Sequence, residues 1–355
     1  VMAALRSKVL ITGGAGFIGS NLADQLASDG HDVLVYDALA RAGVERNLAW
    51  LRSRHPQRIH WIQADVRDRT AITQAAAGAD VVFHFAAQVA VTTSMEAPRE
   101  DFEVNLLGTM NVLEAVREAG RCAPVIFAST NKVYGDLADI ELEQQGDTYA
   151  PVDQIIKASG VGESRPLDFH TPYGCSKGGA DQYVLDYARS YGIPTCVLRM
   201  SCIYGPRQMG TEDQGWVAHF LIRALRGEAI SIYGDGRQVR DILHVKDAVA
   251  TYVAVWKQIE AVSGRAFNLG GGPENAVSLR QVLARIEGLV GRSVRLSYSE
   301  WRPGDQRYYV SDTSAVRRVL GLPAVTPWYE GITDLATWLA SHHTPIPIQA
   351  HAAAL

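Results

Sequence analysis

Lys8-Val9-Leu10-Ile11-Thr12-Gly13-Gly14-Ala15-Gly16-Phe17-Ile18-Gly19 is the stretch that decides the fold. An apolar run the length of one buried strand passes straight into glycines spaced G-x-x-G-x-x-G, and a helical period opens at Gly19. Glycine lets the backbone turn tightly and approach a pyrophosphate, and the unpaired N–H groups and dipole of a helix N-terminus stabilise its charge. Gly13, Gly16, Phe17, Ile18 and Gly19 are the expected contacts. With Gly at 32 of 355 positions, this spelling arises by chance about 0.25 times in such a chain, so its context carries the reading. A second strand, 32–36, runs into Asp37 about 20 residues on, where a carboxylate accepts hydrogen bonds from an adenosine ribose and repels a 2′-phosphate. The spacing predicts NAD rather than NADP. Nearby Arg41 works against that preference, and Asp65-Val66 closes a third strand where the Asp65 carboxylate would meet the adenine amino group.

Outward from this unit, short apolar runs at 59–64, 81–86, 125–129 and 195–199 read as further buried strands. Segments of helical period at 19–28, 70–76, 99–119 and 173–191 supply crossovers, so the strands form a parallel, doubly wound α/β sheet with right-handed connections. Beyond about residue 200 the order breaks into loops, a strand near 231–233 and helices at 247–258, 278–290, 313–320 and 329–341. This predicts a nucleotide-binding domain over 1–200, joined by elements from about 235–270, an interleaved substrate-binding lobe over 201–343, and a loose tail at 344–355. The 139–170 stretch is a long insertion, a place where function often resides.

Composition excludes several classes. Hydrophobic residues at 47% and charged residues at 20% rule out a disordered chain. A formal charge of −4 offers no global basic field for nucleic acid or an anionic membrane. The cysteines at 122, 175, 196 and 202 lack C-x-x-C spacing, so neither a metal site nor a disulfide framework is expected. Only four residues separate Lys8 from Gly13-Gly14, too few for a secretory hydrophobic region, and no stretch reaches the roughly 20 apolar residues of a membrane span. The expected location is cytoplasmic.

Tyr173 and Lys177, four apart on a predicted helix, share one face. A tyrosine of pKa about 10 serves as a base near neutrality only if a cation stabilises its phenolate, which Lys177 would supply. The pair alone also describes a surface helix. The fifth strand, however, ends in Ser129-Thr130, and carboxyl ends of strands face the ligand crevice in a doubly wound sheet, so Thr130 points to the same place.

With these residues in order, the chain resembles the extended short-chain dehydrogenases/reductases, the Rossmann-fold nucleotide-sugar epimerases and dehydratases. The resemblance spans residues 7 to about 341 and rests on the glycine loop, Asp37, Asp65-Val66, His84-Phe85-Ala86-Ala87, Asn105-Leu106-Leu107-Gly108-Thr109, Ser129-Thr130, Val133-Tyr134-Gly135, Tyr173 with Lys177, Val239-Arg240-Asp241 and Arg302-Pro303-Gly304-Asp305. It implies a bound NAD, a nucleotide-diphosphate sugar as substrate, and a homodimer or tetramer built through the helices at 99–119 and 173–191. It also implies that Ala86, Ala87 and Asn105 line the cofactor pocket and that Ser201, where many relatives carry Asn, stands near nicotinamide and sugar. Arg240 and Arg302 would bind the substrate diphosphate. Trp216 would wall the sugar pocket or fill the lobe's core. His170 and His244 would orient loops, and Cys175 and Cys202 would pack as small hydrophobes. Related dehydratases carry an Asp-Glu pair directly after the Thr for elimination; here Asn131 and Lys132 stand there, and neither an amide nor an ammonium does that work. Asn131 is left as a sugar contact, and epimerisation as the expected reaction. Within the family, the segments at 129–136, 167–177 and 213–217 are most similar to epimerases that invert C2 of CDP-linked sugars, with UDP-sugar 4-epimerases as the alternative.

Overall fold

The computed structural model describes residues 6–302 and 304–342; the expected tail at 344–355 and Pro303 lie outside them. Seven strands form the main sheet: β1 (Lys8–Thr12), β2 (Asp32–Asp37), β3 (Ile59–Gln63), β4 (Val81–His84), β5 (Val125–Thr130), β6 (Thr195–Met200) and β7 (Arg265–Leu269). All neighbours are parallel, in the order β7-β6-β5-β4-β1-β2-β3. The order reverses between β1 and β4, opening a crevice at their carboxyl ends.

Period-2 alternation sorts each strand between two cores. Val9 and Ile11 face one cluster with Leu22, Leu26, Val33 and Phe83, while Leu10 faces the other with Tyr36, Val82, Val112 and Phe127. Helices α1 (Phe17–Ser28) and α2 (Val44–Arg54) cover the first side. On the second lie α3 (Arg69–Ala76), α4 (Gly108–Ala119) and α5 (Thr171–Tyr191).

The single helix expected over 99–119 is instead three segments: Pro98–Phe102, a π-helical turn at Glu103–Leu107, and α4. Two constraints explain the wider turn. Gly108 lies so close to Val66 that a Cβ would come within 2.6 Å of it. Asn105 must also reach inward, where its amide bonds the Gln88 carbonyl at 3.0 Å and Asp101 at 3.0 Å.

After β6 the chain leaves the sheet through Cys202–Tyr204, which pairs with Val239–His244; that strand also pairs with Ala276–Ser278 and Tyr308–Tyr309. Helices Trp216–Arg226, Leu279–Val290 and Trp328–His342 pack with this small sheet around Tyr204, Leu221, Ile242 and Ile286. The insertion forms a hairpin, Leu142–Gln145 with Thr148–Pro151, followed by a short helix at Gln154–Ser159. No helix among the described residues is long and apolar enough to cross a membrane.

Candidate active site

The glycine loop closes against the loop after β4. Gly13 takes φ +70°, and a Cβ there would stand 2.7 Å from the Ala86 nitrogen, while one on Gly19 would stand 2.3 Å from the Gly13 carbonyl. No side chain caps α1, so the N–H groups of its first turn are left to a ligand. Both oxygens of Asp37 are fixed by backbone donors, Ala15 N–H at 2.9 Å and Leu39 N–H at 2.8 Å. These bonds oppose the upward push of burial on its pKa without cancelling it. A dinucleotide fits this cradle: a diphosphate at the start of α1 and a ribose beside Asp37. Arg41 donates to Gln214 from the second lobe.

Other predicted cofactor residues have protein partners. Asp65 is paired with Arg67 at 2.7 Å and 3.0 Å, which holds its carboxyl below the ordinary range. Val66 points into the core against Gly108, leaving only its backbone for a ligand. Ala86 and Ala87 stand in the loop after β4 and are partly buried, and Asn105 holds that loop from beneath through Gln88.

Thr130, Tyr173 and Lys177 converge. Thr130 ends β5, and its hydroxyl stands close enough to the Tyr173 phenol to act on its ionisation, drawing it downward. Burial nevertheless pushes Tyr173 up to about 12. The Lys177 ammonium donates to the Ala128 carbonyl at 2.6 Å and stands 4.1 Å from the Phe127 ring centre. Its ammonium thus bonds the strand, one helical turn from Tyr173. Burial drives Lys177 down to about 7, with Asp181 and Asp101 opposing.

The substrate candidates lie around this centre, in contact with the second lobe. Asn131 donates to Gln306 at 3.1 Å, and Gln306 in turn bonds the Gly135 carbonyl at 2.6 Å. Lys132 donates to the Gly304 carbonyl at 3.2 Å and lies 3.9 Å from Asp305, which Arg240 also grips at 2.7 Å. Burial lowers Lys132 to about 8, so it remains largely an ammonium at neutral pH. Arg302 stacks on Tyr233 and pairs with Asp213 at 3.2 Å. Ser201 is committed to Asp241 at 2.5 Å. Of the two readings of Trp216, the structure supports lobe packing: its ring meets Phe220, and its N–H donates to Cys202 at 3.4 Å. Cys175 is exposed, not packed, because its position on α5 faces away from the sheet. His170 lies 3.1 Å from Asp168, and His244 caps Val245–Lys257, in line with loop-orienting roles.

Gln306, Asp181 and Arg199 were not singled out in the sequence. Their partners stand on other elements, so no local spacing marks them. Among the described residues no His, Cys, Asp and Glu cluster fit for a metal occurs.

Comparisons with known proteins agree with this architecture. Residues 9–270 match the NAD dependent epimerase/dehydratase family. CDP-paratose 2-epimerase of Salmonella typhi is 40% identical over 341 residues, covering 94% of this chain and 99% of that protein. Among solved structures, UDP-glucose 4-epimerase of Thermotoga maritima with UDP-glucose superposes with a TM-score of 0.80 at 29% identity, covering 94% and 99% of the two chains. The NAD complex of the Thermus thermophilus UDP-glucose 4-epimerase gives 0.79 at 30% identity, with the same coverage. With its glycine cradle, its Asp37 and its converging Thr130, Tyr173 and Lys177, the chain belongs to the NAD-dependent epimerase/dehydratase family, as an enzyme of extended short-chain dehydrogenase/reductase fold.

Proposed function

We propose that this enzyme is an isomerase that inverts C2 of a CDP-linked hexose through a transient 2-keto sugar. The carrying observation is the end of β5: Thr130 is followed by Asn131 and Lys132, bonded to Gln306 and Gly304, and neither position carries the carboxyl that elimination would use there. Full-length similarity to a CDP-paratose 2-epimerase supports the choice of sugar and carbon.

Bound NAD would supply a hydride acceptor that can return the same hydride. The chain's own residues do the rest. Tyr173 takes the hydroxyl proton of the sugar as the carbon is oxidised and gives it back after the ketone has turned its other face, while Thr130 orients that hydroxyl. Lys177 favours the phenolate form by its charge. Arg240 and Arg302 turn from Asp305 and Asp213 to the substrate diphosphate, which accepts bidentate bonds as a carboxylate does. Asn131 contacts the sugar. We further propose a homodimer, as monomer pair or half of a tetramer, through the helical segments at 98–119 and α5, which leave Phe102, Leu107, Tyr183 and Tyr191 exposed.

Direct hydride return makes an isotopic demand. A reaction in heavy water, read by mass spectrometry and NMR of the product, should leave the inverted C2 free of solvent deuterium. Deuterium there refutes the mechanism, and inversion at C4 with C2 intact transfers the enzyme to the UDP-sugar 4-epimerases.

A further inference from the structure

Three residues of α5, Tyr173, Lys177 and Asp181, are spaced by four and buried. They meet three consecutive residues at the end of β5. The Thr130 hydroxyl stands beside Tyr173, the Ala128 carbonyl accepts from Lys177, and the Ser129 hydroxyl donates to Asp181 at 2.8 Å. From β6, Arg199 closes on the same carboxylate with both faces of its fork, Nε at 2.9 Å and Nη2 at 3.0 Å. The pair is sealed from water, with Arg199 and Asp181 side chains 5% and 0% exposed. Gln182 adds a bond at 2.9 Å to Asp181, and Tyr134 accepts from Arg199 at 3.1 Å and passes the chain to Asn268 at 2.8 Å.

A buried ion pair is poor value as a stabiliser, because desolvation consumes most of its attraction and well-packed apolar residues often do as well. Its place in the fold gives this one a different use. Beyond Asp181, the charged and titratable groups facing Lys177 are Asp101 from the segment at 98–102, Tyr173 one turn away, Arg199 behind Asp181, and His84 from β4, which is neutral in the core. Asp181 is the foremost of the groups that favour the ammonium against burial.

We propose that the Asp181–Arg199 pair is the positioning device of the catalytic centre: it zips α5 to the end of β5 and holds an anion one helical turn behind Lys177, keeping that lysine cationic beside Tyr173. Arg199 fixes the carboxylate, and Ser129 sets the register between helix and strand. The assignment rests on the reading of Tyr173 and Lys177 as the proton-transfer pair, but it is tested without turnover. Lysine side chains of the NAD-bound protein are labelled with 13C and titrated by NMR; there are six lysines, and Lys177→Met assigns the signal.

Asp181→Asn should lower the Lys177 midpoint by about one unit or more, since an anion is lost and the Arg199 cation is left unmatched. Should that variant fail to accumulate, Asp181→Leu with Arg199→Met removes both charges without stranding either, and the midpoint should still fall. With a CDP-linked hexose, the alkaline limb of turnover should move down in parallel while KM holds. An unchanged midpoint in a folded variant overturns the proposal, as does lost turnover with an unmoved alkaline limb. Full turnover by Tyr173→Phe would instead overturn the assignment of the catalytic pair, leaving the Lys177 titration to be read by itself.

Discussion

Acid should loosen the nucleotide cradle through His84, whose ring is wholly enclosed between β1 and α4. Thr109 spends its proton on the Asn105 carbonyl at 2.6 Å, so its oxygen accepts from His84 Nε2 at 3.0 Å. Nδ1 is then bare and accepts from the Thr12 hydroxyl at 2.6 Å, and the Thr12 oxygen accepts the Ala86 N–H at 3.3 Å. The neutral ring thus holds Gly13's neighbour against the β4 loop, and a second ring proton would face the Thr12 donor. Burial, with the Lys177 charge adding to it, lowers His84 to about 3. The sign follows. Above the ordinary value of about 6.5, folded and unfolded chains are both neutral at this site and nothing is lost; below it only the unfolded chain takes the proton. Stability should therefore fall by about 1.4 kcal/mol per pH unit, reaching about 3 kcal/mol near pH 4.5, until the folded ring titrates near pH 3. Carboxylates held low by basic partners, such as Asp32 and Glu114, lose stability on acidification as well. The native chain is therefore compared with His84→Gln, which keeps one donor and one acceptor. Urea unfolding across pH 8 to pH 4.5 should show the two curves converging or crossing as pH falls. Parallel curves would refute the reasoning.

Tyr173→Phe should retain NAD yet lose about 10²- to 10⁴-fold in turnover, read by calorimetry and product formation, because it removes the proton carrier and keeps the bulk. Calorimetric titration should show NAD bound more tightly than NADP, and Asp37→Asn should narrow that gap by removing the like-charge clash with a 2′-phosphate. Light scattering should find subunit pairs; Phe102→Asp should weaken them, since a charge would replace an exposed apolar side chain on the proposed interface.

The strand-by-strand plan was legible because buried parallel strands are apolar runs of four to six residues, and β1, β2, β4, β5 and β6 each carry one. The strand at 59–64, expected to be buried, is instead the edge strand β3, exposed beyond Ile59 because no strand covers its outer side. Apart from β1, which matches, the strand ends are extended or trimmed by one or two residues relative to the sequence reading, where the apolar run outlasts or falls short of the ladder. The cradle was legible too: only glycine tolerates the approach of Gly13 to Ala86, so the requirement is written in residue type. Helices α2 and Trp216–Arg226 went unread although the signal was there: Val44, Leu48 and Leu51, and Val217, Phe220, Leu221 and Ala224, recur at helical spacing on the faces they bury.

By itself, the sequence determined the doubly wound sheet, the nucleotide cradle and the helix face that carries Tyr173 and Lys177, because each depends on periodicity or on residues within a few positions of one another. Tertiary structure decided the company those residues keep. It broke the helix over 99–119 at a π turn, because Gly108 presses on Val66 and Asn105 must reach Gln88. It sent Trp216 into the lobe's packing, gave Arg240 and Lys132 a shared partner in Asp305, and brought Arg199 from β6 to Asp181 on α5. The partners in these contacts stand on different elements of the fold, and only tertiary packing brings them together, so no local pattern announces them.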